Sequence, residues 1–189
     1  MGVGFAAYRH WHLRWGATAD EAHGLLPGDA LLPVPRFEAT RAITIDASPE
    51  AVWPWLVQIG RGRAGFYAYD RLDNAGVPSA EEILPEHQHV AVGDLAAPMA
   101  LPANDRNSFR VFGFEEPAWL GWEKEGSTWV WVLKPLDDGR RTRLVVRLKA
   151  TDRFPWSLVS APLLELGDFP MMRKELLGIK ARAEGTSSG

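Results

Sequence analysis

The spacing of apolar and polar positions along the chain changes period more than once. From Thr40 to Ile45 the residues alternate, with Arg41, Ile43 and Ile45 on one side, which is the two-residue period of a strand. Ser48-Pro49 follows at once, a serine able to cap a helix and a proline suited to its first position. Val52, Leu56 and Ile59 then fall on one helical face. Pro54 removes a backbone hydrogen bond, so this helix is expected to be short and bent, and Gly60 is placed to end it. A second short helix is expected near Tyr69 to Asn74, a helical turn at Ala80 to Leu84, and a short strand near His89 to Val92 that stops at Gly93-Asp94.

The next stretch is dominated by strand patterns over 109–114, 118–124, 128–135 and 142–151, with Asp137-Asp138-Gly139 as a hairpin signal. In the last of these, Leu144, Val146 and Leu148 share one face and Arg143, Arg147 and Lys149 the other, which predicts an antiparallel sheet with one dry and one wet side. Trp129, Trp131 and Leu133 share a face, but Val130 and Val132 make the reverse face apolar as well, so inside and outside stay open there. From Pro155 to Glu184 the character is helical: Met172, Leu176, Ile179 and Ala183 form one stripe, with Arg173, Lys174, Lys180 and Arg182 mostly off it. Gly167-Asp168-Phe169-Pro170 interrupts this segment. Asp168 is suited to cap a fresh start, which predicts a break near Gly167.

These patterns divide the chain into an N-terminal extended arm over 1–36, one domain over 37–184 and a small polar tail over 185–189 expected to fray. The 189 residues suit a single domain with a core of its own. The opening residues from Met1 to Ala7 lack the basic start and cleavage pattern of a signal peptide, and Trp11 and Trp15 read as caps on the outside of the domain or as a weak surface-docking pair. No segment approaches the roughly 18 apolar residues of a membrane span, so no integral membrane span is expected. A net charge of −3 with no basic block argues against nucleic acid as a partner. The absence of cysteine rules out disulfides, thiol nucleophiles and cysteine-held metals, and is compatible with the cytoplasm, the expected location. Nine tryptophans beside eight phenylalanines point either to a tryptophan-rich core or to an aromatic-lined pocket.

The order of elements, a strand, two short helices, a run of antiparallel strands and a long final helix, resembles the helix-grip fold of the START-like superfamily, also called SRPBCC or polyketide-cyclase/dehydrase-like. The resemblance is carried by Ile43 to Trp53, with its Pro-x-x-Val-Trp pattern, by Val92-Gly93-Asp94, and by Leu166 to Lys180. Gly65 to Asp70 and Trp11 to Gly16 are similar to stretches of an uncharacterised bacterial subgroup. It implies an α+β fold in which a curved antiparallel sheet wraps a long C-terminal helix. It also implies a cavity between the two that binds or carries a hydrophobic small molecule, such as a lipid or a polyketide-like metabolite, with no cofactor. The superfamily also contains cyclase, dehydratase and hydrolase enzymes and protein-interaction domains, so those alternatives remain open.

Candidate wall residues for such a cavity are Trp129, Trp131, Phe109 or Phe112, Leu144, Val146, Leu164, Met172 and Leu176, which would fill a solid core equally well. Arg61, Arg63, Tyr67, Tyr69 and Asp70 follow the first helix. Arg61 and Arg63 are suited to hold an acidic head group by paired donors, and the tyrosines to donate to a carbonyl; an ordinary solvated loop is the plainer reading. For an enzyme, the expected actors are Tyr67, Tyr69, Arg61 and Glu165, the last a carboxylate that burial would make a usable acid or base. His87-x-His89 puts two imidazoles on one side of a strand but lacks a third ligand, and His10-x-His12 is weaker still, so no metal site is expected.

Overall fold

A computed structural model describes residues 2–151 and 157–186, with side chains at all of these except 2, 3, 5, 157–166 and 186. Six strands form one sheet: β1 (Phe37–Ile45), β2 (Leu95–Ala96), β3 (Phe109–Glu115), β4 (Trp119–Lys124), β5 (Ser127–Leu136) and β6 (Arg141–Ala150). Their order is β1-β6-β5-β4-β3-β2, and every neighbouring pair is antiparallel. The helices are α1 (Gly2–Leu13), α2 (Ala19–His23), α3 (Pro49–Val57), α4 (Asp70–Asp73) and α5 (Ser157–Thr186). The first strand therefore pairs with the last, two short helices follow β1, and the long α5 lies on the sheet. This is the helix-grip arrangement, an α+β fold. No helix among the described residues is long and apolar enough to cross a membrane.

Local chemistry accounts for the elements. Ser48 caps α3 through its hydroxyl, and Pro49 takes the first position. The β5–β6 hairpin turns on Asp137, Asp138 and Gly139, all at positive φ. The β3–β4 register slips between Val111 and Gly113, a bulge that bends the sheet. Side chains alternate across it. Ile43, Ile45, Leu120, Trp122, Trp129, Trp131, Leu133, Leu144 and Val146 enter the main core together with Met172, Leu176, Ile179 and Ala183 of α5.

The opposite face is not the wet wall that the Arg143, Arg147 and Lys149 pattern predicts. The segment expected as an extended arm over 1–36 holds α1, α2 and a 3-10 turn at Asp29–Leu31, and it straps the sheet. It first closes the free edge of β1, where Ala42 N–H donates to the Trp15 carbonyl at 3.1 Å. It then crosses the outer face, where the three cations hold it. Arg143 pairs with Glu21 at 2.8 Å, and Lys149 with Asp29 at 2.7 Å. Arg147, only 4% exposed, pairs with Asp29 at 2.6 Å and also donates to the carbonyls of Glu21, Ala22 and Gly24 at the end of α2. Val130 and Val145 are buried on this face, which explains why the reverse side of β5 is apolar.

Three further expectations are corrected. α5 runs unbroken through Gly167 to Pro170, because Asp168 spends its carboxylate on Arg41 instead of capping, and Phe169 and Met172 are buried on either side of Pro170; packing here outweighs the local breaker. The segment from His89 to Val92 is not a strand, and the short edge strand is Leu95–Ala96. The helical turn after Ala80 falls at Pro85–His87.

The strap carries a definite energetic share. Arg147→Met leaves Asp29 with Lys149 alone and strands three carbonyls, and is expected to cost about 3–5 kcal/mol in urea unfolding and to open residues 17–36 to protease first. A loss under about 1 kcal/mol contradicts the assignment. Glu21 is held at about 2 by its hydrogen bond from Arg143, against the ordinary 4.5. Its contribution is present above the unfolded pKa and is lost as pH falls through the folded one. Glu21→Gln should therefore destabilise at neutral pH and converge with the wild type in acid.

Candidate functional site

The inner face of the sheet presents an aromatic wall to α5. Trp122 and Trp129 face each other across β4 and β5 with centroids 5.4 Å apart, Trp129 and Trp131 are 5.0 Å apart, and Trp122 and Trp131 are 5.6 Å apart. Phe109 closes on Trp129 edge-on at 5.6 Å. Leu144 and Val146 continue the wall on β6, and Met172 and Leu176 meet it from α5. Seven of the expected wall residues are thus brought together. Phe112 is not among them: Phe109 and Val111 take the inner face, so alternation sets Phe112 on the strap side, where a Cβ on Gly121 would lie 2.3 Å, and one on Gly28 2.4 Å, from the end of its ring. Leu164 and Glu165 lie on α5, outside the described side chains.

Polar groups on this wall are unusual in having no partner. The indole N–H groups of Trp129 and Trp131 are buried and make no hydrogen bond, as does that of Trp55 on α3. Buried donors are paired in the great majority of cases, and an unmade bond costs about 1–3 kcal/mol. Arg41, 1% exposed on the same face of the sheet, donates from Nε to the His12 carbonyl at 2.9 Å and pairs with Asp168 at 2.6 Å; its second terminal nitrogen is unpartnered. Its guanidinium lies 5.4 Å from the Phe169 ring centre.

Glu175 was not singled out from sequence. It is 4% exposed on the flank of the α5 stripe, with Oε1 unpartnered. Burial raises its pKa well above the carboxylate range, and the charges of Asp73 and Asp168 add to the rise. The available signal was its place between Met172 and Ile179, next to Leu176, where a surface helix would present an apolar residue.

The loop after α3 forms a structural knot rather than a converging site. The Tyr67 hydroxyl accepts from Gln58 at 2.9 Å and donates to the Trp55 carbonyl at 3.1 Å, and desolvation pushes its pKa up. Its backbone presses on α5 where only glycine fits: a Cβ on Gly178 would lie 2.2 Å from the Tyr67 carbonyl oxygen. Arg63 donates to the carbonyls of Val57 and His87, fastening the loop, and is not part of the aromatic wall. Tyr69 is exposed, and its backbone N–H is held by Asp73. Arg61 is half-buried, with its backbone N–H on the Pro98 carbonyl. Asp70 accepts from Ser79 at 2.6 Å. Among the described residues no group of three metal-ligating side chains occurs. A groove of about 850 Å³ lies between the end of the strap and the β3–β4–β5 end of the sheet, lined by Leu31, Leu32, Arg110, Lys124 and Thr128 among others.

No protein-family model matches the sequence, and no curated protein matches it. Several solved structures share its outline. A polyketide-cyclase-like protein from Corynebacterium glutamicum is 16% identical, with a TM-score of 0.47 over 76% of this chain and 88% of its own. A Staphylococcus saprophyticus protein is 13% identical, with a TM-score of 0.48 over 78% and 92%. An Arthrobacter aurescens protein is 18% identical, with a TM-score of 0.46 over 78% and 86%. At these values the likeness is one of outline and says nothing of a ligand or an activity.

The buried carboxyl makes a pH-dependent prediction. A carboxyl whose folded pKa is raised holds its proton more tightly in the native state, so stability falls as pH rises from the unfolded pKa toward the folded one. Glu175→Gln should melt higher than the wild type at alkaline pH, with the difference shrinking toward the ordinary glutamate pKa. A difference that stays constant with pH contradicts the assignment.

Proposed function

We propose that the chain binds an apolar small molecule between the inner face of the sheet and α5, and that an acceptor on that molecule meets the indole N–H groups of Trp129 and Trp131. The observation that carries this reading is the pair of buried, unpartnered donors on one aromatic wall. A solid core of the same rings could be built with phenylalanine, at no cost in unmade hydrogen bonds. Indoles supply the same apolar surface plus a donor that needs an acceptor.

The energetics favour such a guest. Apolar area removed from water contributes about 25 cal/mol per Å², and each indole donor that gains an acceptor recovers about 1–3 kcal/mol. Met172 at the helix side is flexible and accommodates varied shapes. A carrier requires no catalytic group. The loop residues Tyr67, Tyr69 and Arg61 do not converge, which is why binding is preferred to turnover as the function.

Two experiments test it. Native mass spectrometry of protein isolated from its own host should show one apolar species bound, released on unfolding. A fluorescent fatty-acid probe should be taken up with energy transfer from tryptophan. Trp129→Phe with Trp131→Phe keeps ring area but removes both donors, and should weaken the probe about ten-fold or more while the far-UV spectrum stays unchanged. Protein that is empty and takes up no probe refutes the reading and favours a protein-interaction domain with a filled interior.

A further inference from the structure

On the sheet side of the proposed site, every unpartnered buried polar atom among the described residues is a donor: the two indoles of Trp129 and Trp131 and one nitrogen of Arg41. A fourth group extends this series. Lys124 ends β4, and strand alternation sets it on the same face as Leu120 and Trp122. It faces Ser127 across the β4–β5 ladder and lies diagonally from Trp129. Its ammonium sits 4.5 Å from the centre of the Phe109 ring, the ring that closes on Trp129, and 4.0 Å from the Met99 sulfur.

No carboxylate among the described residues is paired with it. Four other cations of the sheet do have partners: Arg110 with Asp105, Arg143 with Glu21, Arg147 with Asp29, and Lys149 with Asp29. Glu123 alternates to the other face, and Glu125 is exposed in the turn. Consistent with this, desolvation is the one influence on the Lys124 amine, and it lowers its pKa with no anion to offset it. A half-buried ammonium over an aromatic ring and a thioether gains a modest cation–π contact but leaves its three N–H donors without a strong acceptor.

We infer that the ligand of this site carries a carboxylate, and that Lys124, at the β4–β5 end of the aromatic wall, is its counter-charge. This rests on the binding reading above and narrows it from an apolar molecule to an anionic amphiphile. The hydrocarbon lies against Phe109 and the ring faces of Trp129 and Trp131, and the carboxylate at the turn end is the acceptor that the binding reading requires for the indole donors. A sheet wall with donors, an unpaired ammonium and no free acceptor favours an anion over an alcohol, whose oxygen accepts but carries no charge to offset Lys124, and over an ammonium, which has no acceptor at all. Lysine there works as a point charge, so arginine is a workable replacement and methionine is not.

The test compares a long-chain fatty acid with the fatty alcohol of equal chain length, each displacing a neutral apolar dye at neutral pH. The wild type should bind the acid about ten-fold tighter or more. Lys124→Met should bring the acid down to the level of the alcohol and leave the alcohol unchanged, whereas Lys124→Arg should keep most of the preference; far-UV spectra and melting points check that both variants fold. Equal affinity for acid and alcohol in the wild type, with the dye bound, overturns the carboxylate inference and leaves the binding reading standing. A preference that survives in Lys124→Met also overturns it. Failure of the acid, the alcohol and the dye alike refutes the binding reading and this inference together.

Discussion

The ion pair between Arg41 and Asp168 joins the three parts of the fold that matter most. Arg41 sits on the inner face of β1, takes the His12 carbonyl at the end of α1, and grips α5 at the residue that would otherwise start a new helix. An arginine 1% exposed is tolerated only because it is paired and hydrogen-bonded, and removing one partner of such a pair typically costs about 3–5 kcal/mol. With Asp168 fixed, α5 passes through a glycine and a proline without breaking, and Met172, Leu176, Ile179 and Ala183 arrive in register over the sheet.

The two faces of the sheet solve different problems. The outer one carries three cations, and the strap neutralises them with Glu21 and Asp29 while the arginine at its centre caps α2. Each of these three cations has a carboxylate partner, and the result is a closed polar layer under the strap. The inner one is apolar, yet the indoles of Trp129 and Trp131 lack acceptors and Lys124 has only the Met99 sulfur. This contrast within one sheet sets the candidate site apart from ordinary core. The same chain that satisfies a crowded set of cations on one side leaves isolated donors on the other.

Much of the fold was legible because period and punctuation agree. Alternation marked β3 to β6, Ser48-Pro49 marked α3, and the aspartates before Gly139 marked the hairpin. The misreadings share a cause: tertiary contacts overrode local signals. Asp168 looked like a cap because nothing near it in sequence announces Arg41, 127 residues away. Arg147 and Lys149 looked solvated because their partners lie before β1. Phe109 and Phe112 stood as alternatives for the wall, and three residues apart on a strand only one of them can face it; burial against Trp129 picks Phe109. Most of the aromatic wall could be read from spacing. Glu175 and Lys124 could not, because a single charged residue beside an apolar stripe is ordinary until its lack of a partner is known.

The most direct measurement follows the indole N–H resonances of isotope-labelled protein while an apolar ligand bearing one acceptor is added. If the inner wall is a binding surface, the Trp129 and Trp131 signals move downfield together as they gain a hydrogen bond, while that of the half-exposed Trp11 stays in place. Signals from Trp129 and Trp131 that hold still at saturating ligand would mean that the wall is simply core, and that its unpaired donors are a tolerated defect.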